Sequence, residues 1–375
     1  MIKFWSYKRE YTKYSKQLTK NIKKSINSGT IFFGNELKNF EKNFIKKYNS
    51  KYGIAVGSGT DALLISLKAI GVSKGDEIIT AANTAIPTIS AIINAGGTPR
   101  LVDIDKNYLI DVNKIEREIN KKTKAIIPVH LYGQSCDMDK IVKISKKYNI
   151  KIIEDCAQSQ GAKYKNKFVG NIGELGCFSF YPTKILGAYG DGGFITTNNF
   201  GLFKKIKRIR FYGIETVDRK NKFLNSYYSN ENGVNSRLDE IQSSILNFKL
   251  KKVDTFIKRR NQLAKIYLKE LSLTNLVLPT KVKNRSHVYH LFTIYHPKAK
   301  LIIRHLKNRK IETRVIYPHP IHKMKAYKKI KHNRMKLINS EIKSKGIICL
   351  PLYPELQNKE VKFICKNLID ILKKI

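Results

Sequence analysis

Short runs of strand-forming residues alternate with longer helical runs between residues 52 and 154. The strand-forming runs are rich in Ile, Val and Thr and have the usual strand length of about five residues. The predicted strands are Tyr52–Val56, Glu77–Thr80, Arg100–Asp103, Ala125–Val129 and Ile150–Glu154, and the predicted helices are about Thr60–Ile70, Pro87–Asn94, Val112–Asn120 and Asp137–Tyr148. Strands separated by helices run parallel, and the helices cover both faces of their sheet. The alternation therefore predicts an α/β fold with a mostly parallel sheet.

The flanking regions complete a two-domain organisation, which suits a chain of 375 residues better than one small core. We expect a large domain over residues 1–250, including an N-terminal helical segment, and a smaller C-terminal α+β domain over residues 251–375. Further expected strands are Cys177–Phe180, Gly193–Thr197 and His290–Tyr295. Further expected helices are Glu360–Lys373 and one that starts at Leu238 and ends either at Phe256 or near Leu271.

The formal net charge of +43 is the most unusual feature of the composition. Such a charge favours anionic partners, including nucleic acids. The lysines, however, are spread along the whole chain, and no zinc-finger or RNA-binding motif accompanies them. We therefore expect solvated lysine faces that attract an anionic substrate, and no nucleic-acid partner.

Other features of the composition argue against a membrane protein and a metal protein. No apolar run reaches the roughly 20 residues of a membrane helix, and the N-terminus lacks the apolar middle of a signal peptide. The five cysteines are odd in number and form no CxxC pair, so we expect no disulfide framework and no metal site. The expected location is the cytoplasm.

Three segments combine residue types that suit a phosphorylated cofactor. In GSGTDALLISLKAIG, residues 57–71, small residues lead into a helix whose first N–H groups suit a phosphate, although Ser58 or Thr60 could simply cap that helix. In IKIIEDCAQSQGA, residues 150–162, Asp155 ends a strand and could pair with a protonated ring nitrogen or cap the next turn. In CFSFYPTKILGAYGDGGFITTN, residues 177–198, apolar neighbours lower the pKa of Lys184 and favour the neutral amine that bonds to a carbonyl carbon.

Two later segments carry weaker indications of a site. Asn235 stands just before a helix in GVNSRLDEIQSSIL, residues 233–246, where it could equally cap that helix. In ETRVIYPHPIHKMKAY, residues 312–327, Arg314, Tyr317, His319 and His322 could contact sugar hydroxyls or diphosphate oxygens, or form a surface loop.

Together these segments resemble the DegT-like sugar aminotransferases, a branch of the fold-type I (aspartate aminotransferase-like) enzymes that use pyridoxal 5′-phosphate (PLP). The resemblance extends from about residue 28 to the C-terminus and preserves the family order of its motifs. The motifs are SGTIFFGNELKNFEKNF, GSGTDAL, GDEIIT, VDID, TKAIIPVHLYGQSCDMD, IIEDCAQSQGA, CFSFYPTK, GDGGFITT, NSRLDEIQ and CLPLYPEL.

The resemblance implies a function and a role for each matching residue. The implied reaction transfers an amino group from glutamate to a nucleotide-linked keto sugar, for an amino sugar of a surface polysaccharide such as lipopolysaccharide or of a related glycoconjugate. Lys184 is implied to bond to PLP and then to move the proton during catalysis. The other implied cofactor contacts are Asp155 to the ring nitrogen, Gln158 to the phenolic oxygen, Ala157 to one ring face, and Gly59, Thr60, Ser179 and Asn235 to the phosphate. Asn235 is implied to reach the site of the neighbouring subunit, so the resemblance also implies a homodimer with shared active sites.

One position departs from the family pattern. Ala85, in TAIPT, stands where the family often has an aromatic residue that stacks on the ring face opposite Ala157. Alanine has no ring to stack, so either Ile86 or another side chain is expected to cover this face.

Two alternative functions use the same fold. A PLP-dependent sugar dehydratase would have histidine in place of the bonding lysine, whereas this chain has Lys184. A non-catalytic sugar sensor or regulator would have no need of Lys184, Asp155 and Thr60 together. The third alternative, nucleic-acid binding, has only the net charge to support it.

Overall fold

A seven-stranded sheet lies at the centre of the larger part of the chain, in the order β1-β9-β8-β5-β4-β2-β3. The computed structural model describes residues 1–214, 228–328 and 336–375. The strands are β1 Tyr52–Val56, β2 Glu77–Ala81, β3 Thr98–Val102, β4 Thr123–Ile127, β5 Lys151–Asp155, β6 Lys163–Tyr164, β7 Lys167–Phe168, β8 Leu175–Ser179, β9 Gly193–Thr197, β10 Phe292–Tyr295 and β11 Ile347–Leu350. Within the sheet only β9 runs antiparallel to its neighbours. The predicted α/β fold with a mostly parallel sheet is therefore confirmed.

Helices cover the sheet and build most of the C-terminal part of the chain. They are α1 Tyr7–Asn27, α2 Asn35–Tyr48, α3 Gly59–Ala69, α4 Ile86–Asn94, α5 Val112–Ile115, α6 Met138–Tyr148, α7 Phe200–Ile209, α8 Glu240–Leu250, α9 Val253–Glu270, α10 Ala299–Asn308, α11 Ile338–Gly346 and α12 Asn358–Leu372. Within the described ranges, none of them combines the length and apolar character that a membrane span requires.

Two predicted helices differ from the observed ones. The long helix expected from Leu238 is two helices, because α8 ends at Leu250 and α9 begins at Val253, with a turn at Lys251 and Lys252 between them. Helix α8 packs against α1 and α2, whereas α9 packs against α12, so the break separates helices that belong to different layers. Helix α5 stops earlier than expected and continues as a short 3-10 turn, which ends where Ile119 becomes extended.

Phenylalanine packing holds α2 against the sheet. Phe40 and Phe44 project from α2 and are fully buried with Phe178, Phe180 and Phe194 from the strand region. The ring centroids of Phe44 and Phe194 lie 4.2 Å apart, and those of Phe40 and Phe180 lie 5.3 Å apart. Fully buried aromatic side chains contribute several kcal/mol each by order of magnitude. The cluster therefore fixes β8 and β9, the two strands that flank Lys184.

A separate hydrophobic cluster lies in the C-terminal part of the chain. It begins in the second half of α9, at Leu263, and includes residues of β10, α10, β11 and α12. Ile2 and Trp5 also pack against it, so the N-terminus lies on the C-terminal part. The proposed division near residue 250 stays a prediction, since the first half of α9 packs with the larger part through Val253 and Phe256.

Glu154 is a fully buried carboxylate that organises the loop before β8. Its oxygens accept hydrogen bonds from the backbone N–H groups of Gly170, Ile172 and Gly173 at 2.7–2.9 Å, and its Oε2 lies 3.0 Å from His130 Nε2. Burial raises the pKa of Glu154, but the bonds from His130 and the backbone lower it more, so the net pKa lies below the usual value. His130 also accepts a bond from the Cys136 N–H, so it is a structural histidine.

We expect Glu154→Gln to destabilise the fold by about 3 kcal/mol, because an amide group would leave some of these buried donors without an acceptor. Denaturant unfolding at pH 7 measures this loss, and Glu270→Gln on the exposed surface is the matched control. A carboxyl with a lowered folded-state pKa stabilises the protein above its unfolded-state pKa of about 4.3, and that contribution is lost as the pH falls through the folded-state pKa. The difference between wild type and variant should therefore narrow below about pH 4.3. Equal stability at pH 7 would contradict this account of Glu154.

Candidate active site

A cavity of about 620 Å³ opens at the carboxyl edge of the parallel strands. Its walls come from the residues that follow β1, β2, β4, β5 and β8 and from the segment after Ile316. The lining residues are Ser58, Gly59, Thr60, Leu63, Ala85, Ile86, Pro87, Val129, Asp155, Ala157, Gln158, Ser179, Tyr181, Lys184, Asp191, Tyr317, Pro318, His319 and Met324. This edge is where ligands bind in open α/β sheets.

Lys184 projects into this cavity from the turn that follows β8. The turn is closed by a 2.8 Å hydrogen bond from the Lys184 N–H to the Tyr181 carbonyl, and the next two residues, Ile185 and Leu186, are buried. Burial lowers the pKa of the Lys184 amine to about 8, although the charge of Asp155 acts to raise it. A substantial fraction of the amine is therefore neutral near physiological pH, and the neutral form is the nucleophile.

Asp155 ends β5 and is 96% buried in the wall of the same cavity. Its Oδ2 accepts a 2.9 Å hydrogen bond from the Thr88 hydroxyl, and its Oδ1 accepts a 3.1 Å bond from the Ala157 N–H. Burial raises the pKa of Asp155, partly offset by these two bonds. One oxygen thus caps the turn, and Asp155 also lines the cavity; its pairing with a ring nitrogen stays a prediction. A buried acid of this kind gains most from a cationic partner.

Gln158 is held in a fixed orientation at the cavity wall. Its Oε1 accepts a 2.9 Å bond from the Tyr132 N–H, and its Nε2 donates to the Tyr317 hydroxyl over 2.9 Å. Tyr317 follows β10 and α10 in the chain, so this bond joins the C-terminal part to the sheet edge.

The segment between β1 and α3 forms a cradle for an anionic group. Ser58 caps α3 by accepting a 3.0 Å bond from the Asp61 N–H, so the cap role is real. A Cβ atom on Gly59 would lie only 2.6 Å from the Cβ of Ser179, and one on Gly193 would collide with the Ser58 carbonyl. The glycines therefore allow close approach of three backbone segments, and the first N–H groups of α3 open onto the cavity edge.

The structure brings together most, but not all, of the residues singled out in the sequence. Asn235 is exposed and does not line the cavity of its own chain. The Arg314 guanidinium lies 2.6 Å from Glu312 Oε1, and His322 Nε2 lies 3.0 Å from Glu341 Oε1. Neither Arg314 nor His322 lines the cavity. Tyr317 does line it, so direct substrate contact by Arg314 and His322 stays a prediction that this arrangement does not favour.

Ala85 lines the cavity, and its small side chain has no ring to stack on a cofactor. Ile86, Pro87 and Met324 also line the cavity, and Ile86 keeps 47% of its surface exposed. Ile86 and the flexible Met324 side chain are therefore the apolar groups available in place of an aromatic ring.

Several residues that line the cavity or contact its lining were not singled out from the sequence. Thr88 was missed because its bond to Asp155 joins α4 to β5, and no local pattern marks such a contact. Tyr181 and Asp191 belong to the motif of residues 177–198 that also contains Lys184. Their closeness to Lys184 in the sequence was therefore the signal that could have identified them. Met324 belongs to the segment of residues 312–327, which also contains Tyr317.

The described residues fit PLP. The cavity holds a lysine with a lowered pKa, a buried carboxylate in need of a cation, and a glycine-lined helix N-terminus for a phosphate. Gln158 and Ala157 lie between these groups in the chain and line the same cavity.

Comparisons with known proteins point to the same chemistry. Residues 13–369 match the sequence model of the DegT/DnrJ/EryC1/StrS aminotransferase family. The chain is 41% identical over 363 residues to dTDP-3-amino-3,6-dideoxy-alpha-D-galactopyranose transaminase of Aneurinibacillus thermoaerophilus, which covers 96% of this chain and 97% of that protein. It is 37% identical over 368 residues to a protein of Geobacillus stearothermophilus named pleiotropic regulatory protein, with 97% and 96% covered.

The fold is similar to that of solved aminotransferases. The crystal structure of S. venezuelae DesV in complex with a ketimine intermediate aligns with a TM-score of 0.94 and 31% sequence identity. The alignment covers 100% of this chain and 99% of that one.

We expect covalent uptake of PLP by the cofactor-free chain to become faster with rising pH, with the midpoint of the rate profile at about pH 8, because only the neutral Lys184 amine reacts. Asp155→Asn removes the charge that raises the Lys184 pKa, so the midpoint should move to lower pH. Stopped-flow absorbance measures both profiles. Asp254→Asn, whose side chain is 80% exposed, is the matched control and should keep the wild-type midpoint. A midpoint that stays the same in Asp155→Asn would contradict the electrostatic link between the two groups.

Proposed function

The chain belongs to the DegT/DnrJ/EryC1/StrS aminotransferase family, and we propose that it transfers the amino group of glutamate to the keto group of a nucleotide-linked sugar. The family and the PLP-dependent aminotransferase fold predicted from the sequence are confirmed by the comparisons. The observation that carries the proposal is that Lys184 and Asp155 line one cavity beside a phosphate cradle. The product would be an amino sugar for a surface polysaccharide or a related glycoconjugate.

Each cofactor contact is assigned to a residue of the cavity. Asp155 would pair with the ring nitrogen, Gln158 would contact the phenolic oxygen, and Ala157 would pack against one ring face. Gly59, Thr60 and Ser179 would bind the phosphate, and Lys184 would hold the cofactor covalently. The support for this assignment is that all seven residues line the same cavity.

Lys184 is the group that moves the proton. Bound PLP supplies a positively charged ring that accepts electron density from the reacting carbon. Asp155 keeps that ring charged, because its carboxylate is buried and the charge pair is shielded from water. Lys184, once free, has a pKa of about 8, so near pH 7–8 the same amine can both accept and return a proton.

The sugar is proposed to bind at the rim formed by Tyr181, Tyr317 and His319. All three side chains line the cavity, and Tyr181 and His319 are exposed to solvent. Their hydroxyl and imidazole groups can form hydrogen bonds with sugar oxygens. The net charge of +43 attracts the diphosphate of the substrate to the protein as a whole.

A homodimer is proposed to complete the phosphate site through Asn235. This residue is exposed on its own chain, and the nearby Phe32 and Tyr212 leave 38% and 46% of their surfaces exposed. Arg237 stacks on Phe32 with 4.3 Å between the guanidinium carbon and the ring centroid, which keeps this apolar surface ordered. A second copy that covers it would bring its own Asn235 to the neighbouring cavity.

A regulatory function is the second candidate, because one relative carries the name pleiotropic regulatory protein. A sensor that binds a sugar would need neither the reactive amine of Lys184 nor the buried acid Asp155. The sugar dehydratase alternative is disfavoured, because lysine stands at position 184 instead of histidine.

We expect Lys184→Ala to reduce turnover of glutamate and a nucleotide-linked keto sugar by at least about a thousandfold, because the proton then has no carrier at the reacting carbon. The assay follows formation of 2-oxoglutarate in the presence of PLP. Lys359→Ala, on the exposed surface of α12, is the matched control and should keep wild-type turnover. Normal turnover in Lys184→Ala would remove this residue from the reaction, and a wild type with no turnover on any keto sugar would favour the regulatory function.

We expect two inactive variants, Lys184→Ala and Asn235→Asp, to restore activity when they are coexpressed. If Asn235 acts on the neighbouring subunit, each hybrid dimer contains one intact site and one site with both changes. Random pairing makes about half of the dimers hybrids, so about a quarter of wild-type activity should return. Each variant expressed alone is the control. No recovery in purified hybrid dimers would show that Asn235 acts within its own chain.

A further inference from the structure

Two buried threonine hydroxyls lie beside Asp155 without lining the cavity. Thr84 and Thr88 are fully buried, their Oγ1 atoms lie 3.3 Å apart, and Thr88 Oγ1 lies 2.9 Å from Asp155 Oδ2. Within the described ranges, Thr88 is the one side chain that hydrogen-bonds to Asp155, and the other donor is the Ala157 N–H, 3.1 Å from Oδ1. The carboxylate is therefore held by one donor on each oxygen.

The direction of each hydrogen bond follows from the chemistry of the groups. An ionised carboxylate only accepts hydrogen bonds, so the single hydroxyl proton of Thr88 points to Asp155. Because that proton is used, Thr88 Oγ1 accepts from Thr84, whose hydroxyl is the donor. Hydrogen bonds in such a chain polarise and strengthen one another. Thr88 is therefore a stronger donor to Asp155 than an isolated hydroxyl would be.

Helix α4 and the segment before it keep the Thr88 hydroxyl in place. Thr88 is the third residue of α4, and Ile89 and Ile92 in the following turn are fully buried. The carbonyl of Ala82, just before α4, accepts a 2.9 Å bond from the Ile321 N–H. Both sides of the hydroxyl pair are therefore fixed to the rest of the protein.

The first turn of α4 also brings the positive end of a helix to this region. The turn contains no acidic residue, and the N-cap residue, Ala85, makes no side-chain hydrogen bond to it. The partial positive charge at a helix N-terminus stabilises a nearby carboxylate. Asp155 reaches this turn from the end of β5 through its bond to Thr88. Asp155 therefore takes the place of a first-turn acid of α4.

The other ionisable groups near Asp155 do not replace the Thr88 hydroxyl. Burial raises the pKa of Asp155, and the bonds from Ala157 and Thr88 and the charges of Lys184 and His130 act to lower it. Lys184 follows β8 and His130 follows β4, and neither side chain hydrogen-bonds to Asp155 within the described ranges. The remaining groups that interact with Asp155 are neutral, because burial raises the pKa of each one; they are Cys156, Cys177 and Tyr317.

We propose that Thr88 is the positioning residue for Asp155: its hydroxyl fixes the rotation of the carboxylate and keeps it ionised for the cationic ring nitrogen of PLP. The inference rests on the proposed function in one respect, namely the pairing of Asp155 with that nitrogen. Thr88 does not line the cavity, so it acts on the cofactor only through Asp155.

The first test compares PLP with its benzene analogue, which lacks the ring nitrogen, in binding to the full-length, cofactor-free chain. Thr88→Val keeps the branched shape and removes the hydroxyl, so the dissociation constant for PLP should rise about tenfold. The analogue offers no charge to Asp155, so its dissociation constant should not rise. Thr88→Ser keeps a hydroxyl and should keep wild-type affinity for PLP. Thr12→Val, exposed on α1, is the matched control, and equilibrium dialysis measures all of these values.

The contrast between the two ligands decides the outcome. An equal loss of affinity for both ligands would mean that Thr88 only supports the fold, and no loss for PLP would mean that Asp155 needs no such partner; either result overturns the proposal. Thr88→Ala replaces Thr88→Val if the latter does not fold, because it also removes the hydroxyl. It should show the same contrast, and it overturns the proposal on the same terms.

The ionisation of Asp155 provides a second result that needs no cofactor. An infrared band of a protonated carboxyl that is present in the cofactor-free wild type and missing in Asp155→Asn reports on this residue alone. The pH midpoint of that band should rise by about one unit or more in Thr88→Val, because the charged form loses a hydrogen bond. Thr88→Ser should keep the wild-type midpoint. An unchanged or lower midpoint in Thr88→Val overturns the proposal.

A failure of the proposed function would appear in other measurements. Asp155→Asn should weaken binding of PLP more than binding of the analogue, since only PLP has the ring nitrogen. Without that contrast the pairing with Asp155 fails, while the infrared midpoint still decides whether Thr88 keeps the carboxylate ionised. Absent turnover on every keto sugar would exclude the aminotransferase reaction, and both tests would still report on Thr88 because neither needs glutamate or a sugar.

Discussion

The site depends on the coupling between one buried amine and one buried carboxylate in a shared cavity. Burial lowers the pKa of Lys184 to about 8, and the charge of Asp155 limits that decrease. Without the acid, the amine would lose the charge that keeps its pKa close to the working pH. Without burial, it would remain an ordinary charged surface lysine, like the many others in this chain. The two opposing effects together give an amine that reacts as a nucleophile and still carries a proton.

The fold supports this coupling by placing both groups at one edge of the sheet. Asp155 ends β5 and Lys184 follows β8; these are neighbouring parallel strands, so their carboxyl ends lie at the same side of the sheet. The phenylalanine cluster of α2 fixes β8 and β9, and Glu154 fixes the loop that leads into β8. Two adjacent residues thus have different roles. Glu154 points into the protein and stabilises the fold, whereas Asp155 faces the cavity.

The sequence predicted the sheet and singled out several residues that line the cavity, because these depend on local order along the chain. A strand end followed by small residues places Asp155, and an apolar turn followed by glycines places Lys184. Contacts between distant segments were not predictable in this way. Thr88 joins α4 to Asp155, and Trp5 meets His290 only because the N-terminus packs on the C-terminal part. The acids beside Arg314 and His322 likewise direct these side chains away from the cavity, although their loop was a reasonable candidate.

The most direct test of the central claim is a crystal structure of the chain after borohydride has fixed PLP to the protein. The account predicts that the cofactor is bonded to Lys184, that its ring nitrogen lies within hydrogen-bond distance of Asp155, and that its phosphate lies against Gly59, Thr60 and Ser179. A cofactor bonded to another lysine, or a ring nitrogen that points away from Asp155, would contradict the account.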